Sequence, residues 1–126
     1  MSNKEKPTAN GRAAFYSLLM GGLIAVARAH GYALAVHGSC ARDFDLVAVP
    51  WTEEATDALT LVRALKDATG AVTNTADSDE LLPDCNPHER PHGRVAYSLH
   101  FTDHGGAFAY IDLSVMPRAP HKEVQP

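Results

Sequence analysis

The 126 residues are 45% hydrophobic and 21% charged, which makes one domain with its own core and excludes a disordered chain. Lys and Arg number 11 against 15 Asp and Glu, a net charge of -4, so the broad basic surface that grips long nucleic acid is missing. Two cysteines, Cys40 and Cys85, are too few for a disulfide scaffold and point to a reduced, cytoplasmic setting.

Residues 1–10 are polar and read as a loose arm. Residues 11–30 read as a helix with Phe15, Leu18, Leu19, Leu23 and Ala27 on or near one face and Gly31 as its stop. Lys4, Lys6 and Arg12 ahead of an apolar run, with Ala27-Arg28-Ala29 behind it, imitate a secretory leader. Tyr16, Ser17, Gly21 and Gly22 interrupt that run, so a first helix of the domain is expected and no membrane span. Residues 32–37 form a short apolar strand, 38–42 a turn, and 44–49 a second strand closed by Pro50.

Thr52 is the expected cap of a helix from Glu53 to about Thr69, with Leu61, Val62 and Leu65 as its apolar stripe and Gly70 as its end. Residues 74–93 are a long polar stretch containing three prolines, a length that loops reach mainly when they are functional or disordered. Residues 94–101 alternate, Val95, Tyr97, Leu99 and Phe101 to one side and Ala96, Ser98 and His100 to the other. A turn at 102–106 leads to a last strand at 107–116, and 118–126 form a loose tail. The order α-β-β-α-β-β defines an α+β domain over 11–117, with a small mixed or antiparallel sheet and two helices on one face.

The strongest chemical signal is Gly38-Ser39-Cys40-Ala41-Arg42-Asp43-Phe44-Asp45-Leu46. Alternation puts Asp43 and Asp45 on one face of a strand and Phe44 and Leu46 in the core. Two like charges held this close repel unless a cation lies between them. Paired carboxylates on a rigid strand suit Mg²⁺ or Mn²⁺, with substrate phosphates completing the shell. Asp112, inside Tyr110-Ile111-Asp112-Leu113-Ser114, would be a third acid if its strand lies beside that of Asp45. Gly38 and Ser39 can bring backbone amides and a hydroxyl to a phosphate. Ser39, Arg42, His92 and Arg94 are the candidates for a rim that contacts phosphate, because a net-acidic protein needs local cations for that task.

A Gly-Ser turn, an Asp-x-Asp strand, a helix and a later strand with a third Asp resemble the polymerase-β-like nucleotidyltransferase fold over residues 32–116. The resemblance implies that Gly38 and Ser39 hold a triphosphate, that Asp43, Asp45 and Asp112 hold divalent metal, and that Asp112 helps activate an attacking hydroxyl. Only Cys40-Ala41-Arg42 separates the turn from the paired acids, where that family has a longer insertion. The chain also resembles a group of small phage proteins through His37-Gly38-Ser39, Arg42-Asp43-Phe44-Asp45-Leu46, Pro91-His92-Gly93-Arg94 and Asp112-Leu113-Ser114-Val115-Met116-Pro117-Arg118. That likeness implies action in a host cytoplasm.

Three other readings compete. His37-Gly38-Ser39 and His100-Phe101-Thr102 each put a histidine and a hydroxyl on one strand face, the arrangement of a metal-independent two-histidine phosphodiesterase. Cys85, His88 and His92 have metal-like spacing, but Pro87 and Pro91 forbid a helix and no fourth zinc ligand is evident. Outside enzymology, the same pocket could serve an anti-defence protein that binds a nucleotide without turnover and sequesters a host immune signal.

Overall fold

The computed structural model describes residues 9–72, 91–103 and 106–118. The expectations for the N-terminal arm before residue 9, for the stretch 73–90 with Cys85 and His88, and for the tail after Arg118 lie outside these residues. The elements are α1 (Ala9–Ala29), β1 (Tyr32–Val36), β2 (Asp43–Pro50), α2 (Ala58–Thr69), a single helical turn at Pro91–Gly93, β3 (Val95–Asp103) and β4 (Gly106–Val115). This is the expected α+β order, and the sheet is mixed. Its strands lie in the order β1-β2-β4-β3, with β2 and β4 parallel in the centre and the outer pairs antiparallel. The parallel pair needs a crossover, and α2 with β3 supplies it.

One apolar cluster joins both helices to one face of the sheet. Tyr16, Leu23 and Ala27 from α1 and Leu61, Val62 and Leu65 from α2 pack on Phe44, Leu46, Leu99, Ile111 and Leu113. Of the five residues expected on one face of α1, Leu23 and Ala27 are buried and Phe15 and Leu19 pack against the core; Leu18 alone departs. Leu18 is 84% exposed, whereas Tyr16, which looked like an interruption, is 1% exposed. At about 100° per residue these two positions fall on opposite sides of the helix, and the larger ring takes the core. The Tyr16 ring stacks on Phe44 with centroids 4.7 Å apart and planes at 11°.

The cap of α2 is Asp57, not Thr52. Asp57 has an extended backbone and its Oδ1 accepts from the Thr60 N–H at 2.7 Å. Residues 51–56 are instead fastened to the start of β1. Gly31 O accepts from the Trp51 and Thr52 N–H groups at 2.8 and 3.2 Å, and Tyr32 OH donates to Thr56 O at 2.6 Å. Gly31 has φ +84°, and a Cβ there would lie 2.6 Å from both Ala55 Cα and Thr52 Oγ1, so only glycine permits this close approach. Arg118, placed in the loose tail by sequence, donates to Glu53 O at 2.9 Å and also to Ala55 O. Gly70 ends α2 in the left-handed conformation, as expected.

Candidate functional site

The face of the sheet away from the helices carries the acids. Phe44 and Leu46 turn into the core, so period-two alternation sends Asp43 and Asp45 to the opposite face. Asp45 lies directly beside Asp112 in the parallel β2–β4 register, and Ser98 of β3 lies on the other side of Asp112. On the β1 side the chain continues past the strand to His37, whose N–H donates to Asp45 O at 2.7 Å. A single row therefore crosses the sheet: His37, Asp45, Asp112, Ser98.

The electrostatics centre on Asp112. Burial, a hydrogen bond and charge repulsion from Asp43, and the charge of Asp45 push its carboxyl from 3.8 up to about 6, while donation from Ser98 opposes the rise. The Ser98 Oγ to Asp112 Oδ1 distance is 3.3 Å. Both other acids thus act on Asp112. Among the described residues, no three His, Cys, Asp or Glu side chains converge as ligands of one ion in the conformation they adopt here.

Two cavities meet at Asp45. The larger, about 430 Å³, is lined by His37, Asp45, Val47, Arg94, Ala96, Asp112 and Ser114. Arg94 also lines it, and its buried Nε has no hydrogen-bond partner among the described residues. The smaller, about 350 Å³, is bounded by Ser39, Ala41, Arg42, Asp43 and Asp45. Gly38, with φ +102°, presses its backbone against this site, and a Cβ there would lie 3.1 Å from Asp45 Oδ2. Ser39 Oγ accepts from the Ala41 N–H at 3.2 Å, which holds the tight turn into β2. Gly38, Ser39, Arg42 and Arg94 thus surround the acids. His92, exposed with φ 63°, lines neither cavity.

His37 and His100 do not face one another across a narrow gap. They belong to the two outer columns of the sheet, with β2 and β4 between them, three strand spacings or roughly 14 Å. The His100 ring packs edge-on against Tyr110 at 5.0 Å. Thr102 follows a register shift in β3 and is exposed. Cys40 is a free thiol, partly buried against the core, with φ 61°.

Sequence reasoning passed over Tyr16. Its hydroxyl donates to Arg42 O at 2.6 Å and accepts from the Tyr110 N–H at 3.4 Å. One core side chain therefore fixes both the residue before Asp43 and the strand that carries Asp112. A tyrosine inside an otherwise apolar helical run was the available signal, because a buried phenol needs a polar partner. Ser98 was seen only as one of an alternating set, and its role depends on the β3–β4 register.

No protein-family model matches the chain, and no curated protein is significantly similar to it.

Proposed function

We propose that the protein is a small nucleotidyltransferase-like protein that binds a nucleotide or nucleotide-bearing acceptor through Mg²⁺ on the open face of its sheet. The observation that carries this reading is the side-by-side register of Asp45 and Asp112, with Asp43 in hydrogen-bond reach of Asp112 and Arg94 facing the same cavity. Carboxylates persist in such crowding mainly where a cation or a proton relieves it. Their hard oxygen atoms fit Mg²⁺, and Asp43, Asp45 and Asp112 would hold it. The ion, when bound, neutralises phosphate charge and polarises the reacting phosphoryl group.

The chain's own groups have distinct tasks. Arg94 offers guanidinium donors to phosphate oxygens in the cavity that it shares with Asp45 and Asp112. Gly38 and Ser39 shape the tight turn beside Asp45, and Arg42 adds a second cation at the smaller cavity. Asp112, with a carboxyl near pH 6, is suited to accept the proton of an attacking hydroxyl close to neutrality. In that transfer the hydroxyl oxygen forms a bond to the α-phosphorus, the bond to pyrophosphate breaks, and the hydroxyl proton passes to an Asp112 oxygen.

Incubation with a panel of nucleotides and cyclic dinucleotides plus Mg²⁺, followed by mass spectrometry of protein and ligand, tests the proposal. Nucleotidyl transfer with pyrophosphate release, abolished by EDTA, is the expected result. The raised Asp112 carboxyl, crowded by Asp43 and Asp45, favours a second reading, a phosphate-binding pocket without turnover; tight binding with the ligand recovered unchanged would select it. Turnover indifferent to EDTA would overturn both.

A further inference from the structure

The two edges of the sheet are treated differently. The β3 edge is engaged at its middle, where Val72 N–H donates to His100 O at 2.8 Å and His100 N–H donates to Val72 O at 2.7 Å. The β1 edge has no such partner among the described residues. His37 N–H and Gly31 O both bond toward β2 or its continuation, so the odd-numbered positions of β1 face inward. Tyr32, Leu34 and Val36 then direct their N–H and C=O groups outward. The strand Tyr-Ala-Leu-Ala-Val contains no charge, no proline and no bulge, the devices that normally guard an exposed edge.

We propose that β1 docks a second copy of this chain, edge to edge, in an antiparallel pair with its two-fold axis at Leu34. That register sets Leu34 against Leu34, and Tyr32 against Val36 in each direction. All three are outward-facing pairs of the hydrogen-bonded type, so each exchanges two backbone bonds. Residue sizes are symmetric about the same point, large-small-large-small-large, so the two small Ala33–Ala35 pairs fall together on the opposite face. A two-fold pairing sets residues of one type against each other, and any charge near the axis would meet its own sign. The neutrality of β1 removes that obstacle.

The neighbouring surface continues the same pattern. Val36 is 44% exposed although it points to the helix side of the sheet, and the second copy would cover it. Helix α1 packs on β1, and its exposed side presents Ser17, Leu18, Gly21, Gly22 and Ala25, with Arg28 as the one charge at its C-terminal end among the residues whose exposure is described. A Cβ at Gly21 or Gly22 would meet nothing within 4 Å, so this side of α1 is uncovered among the described residues.

Sedimentation velocity over a dilution series of the full chain tests the pairing, together with hydrogen exchange at the Leu34 amide. The expected result is a species of twice the chain mass with a protected Leu34 amide. Val36→Lys should convert it to the chain mass and expose that amide, with unchanged circular dichroism, because Val36 is already partly exposed. Leu18→Glu, at a position 84% exposed, should weaken the dimer without affecting the fold, and it serves if the strand variant misfolds. A chain that stays monomeric at every concentration, or a dimer that withstands both substitutions, would overturn the proposal. A monomer with a protected Leu34 amide would overturn it too, since another part of the same chain would then occupy the edge.

Discussion

The two faces of β2 and β4 use the same backbone for opposite purposes. On one face Phe44, Leu46, Ile111 and Leu113 are 2% exposed or less; on the other, one residue away in each case, stand Asp43, Asp45 and Asp112. The strands are paired in register, so the apolar face fixes the backbone that the acids share. Repulsion among the acids acts on strands that cannot separate without opening the core. The comparison predicts large stability effects from the covered face and small ones from the open face, with the reverse order for ligand binding.

The largest effect belongs to the covered face. Leu113→Ala removes a fully buried side chain that follows Asp112 in β4 and lies beside Leu46 of β2, and it should cost about 2–5 kcal/mol. Chemical denaturation reads this directly. A loss below about 1 kcal/mol would mean that the site does not rest on a close-packed core. On the open face, Arg94→Ala should leave the denaturation midpoint nearly unchanged. It should weaken a phosphate-bearing ligand by roughly 1.5–3 kcal/mol, the range for a hydrogen bond to a charged group. Isothermal titration with the nucleotide identified by the mass-spectrometric panel supplies the measurement, and unchanged affinity with an intact fold would remove Arg94 from the site.

How much of this contrast could be read from sequence depends on range. The alternation of Asp43, Phe44, Asp45 and Leu46 is local, and it assigned both faces of β2 correctly. The side-by-side placement of Asp45 and Asp112 depends on a parallel pairing between strands 67 residues apart (112 − 45), so sequence could state it only as a condition. The phase of α1 was ambiguous because its run is apolar on nearly every side, and Tyr16 against Phe44 decided it. Thr52 and Asp57 are both competent caps; the close approach of Gly31 to residues 52–55 drew the first into a turn and left the second to begin α2. The separation of His37 from His100 follows from strand order, which spacing along the chain does not encode.

Tyr16 connects the two faces. Tyr16→Phe keeps the stacking on Phe44 but removes the hydroxyl that serves Arg42 O and the Tyr110 N–H. A stability loss of about 1 kcal/mol is expected. Ligand affinity should fall as well, although Tyr16 lines neither cavity, because the turn before Asp43 loses its anchor. Parallel titrations of the Tyr16→Phe and Arg94→Ala variants separate the two roles: the first should move both stability and affinity, the second affinity alone.

The smallest effect carries the most information about the acids, because its sign is opposite to that of a carboxylate held by a cation or by hydrogen-bond donors. Asp112 has a carboxyl near pH 6 in the folded chain against 3.8 as its reference, so the native state binds more protons than the unfolded state between these values. Stability from this group is therefore greatest in acid and declines as pH rises from about 4 through about 6. A shift of about two units corresponds to roughly 3 kcal/mol without screening; partial exposure reduces this to on the order of 1 kcal/mol. Asp112→Asn removes the charge and keeps an acceptor for Ser98. It should stabilise the protein by on the order of 1 kcal/mol at pH 8, with little change at pH 4, in urea unfolding across that range. Mg²⁺ should stabilise the wild-type chain at pH 8, lose its effect below pH 6 as Asp112 takes a proton, and do much less for the variant. Parallel pH profiles for the two chains would show that Asp43 and Asp45 do not strain Asp112, and a Mg²⁺ response unchanged in the variant would place any bound cation elsewhere.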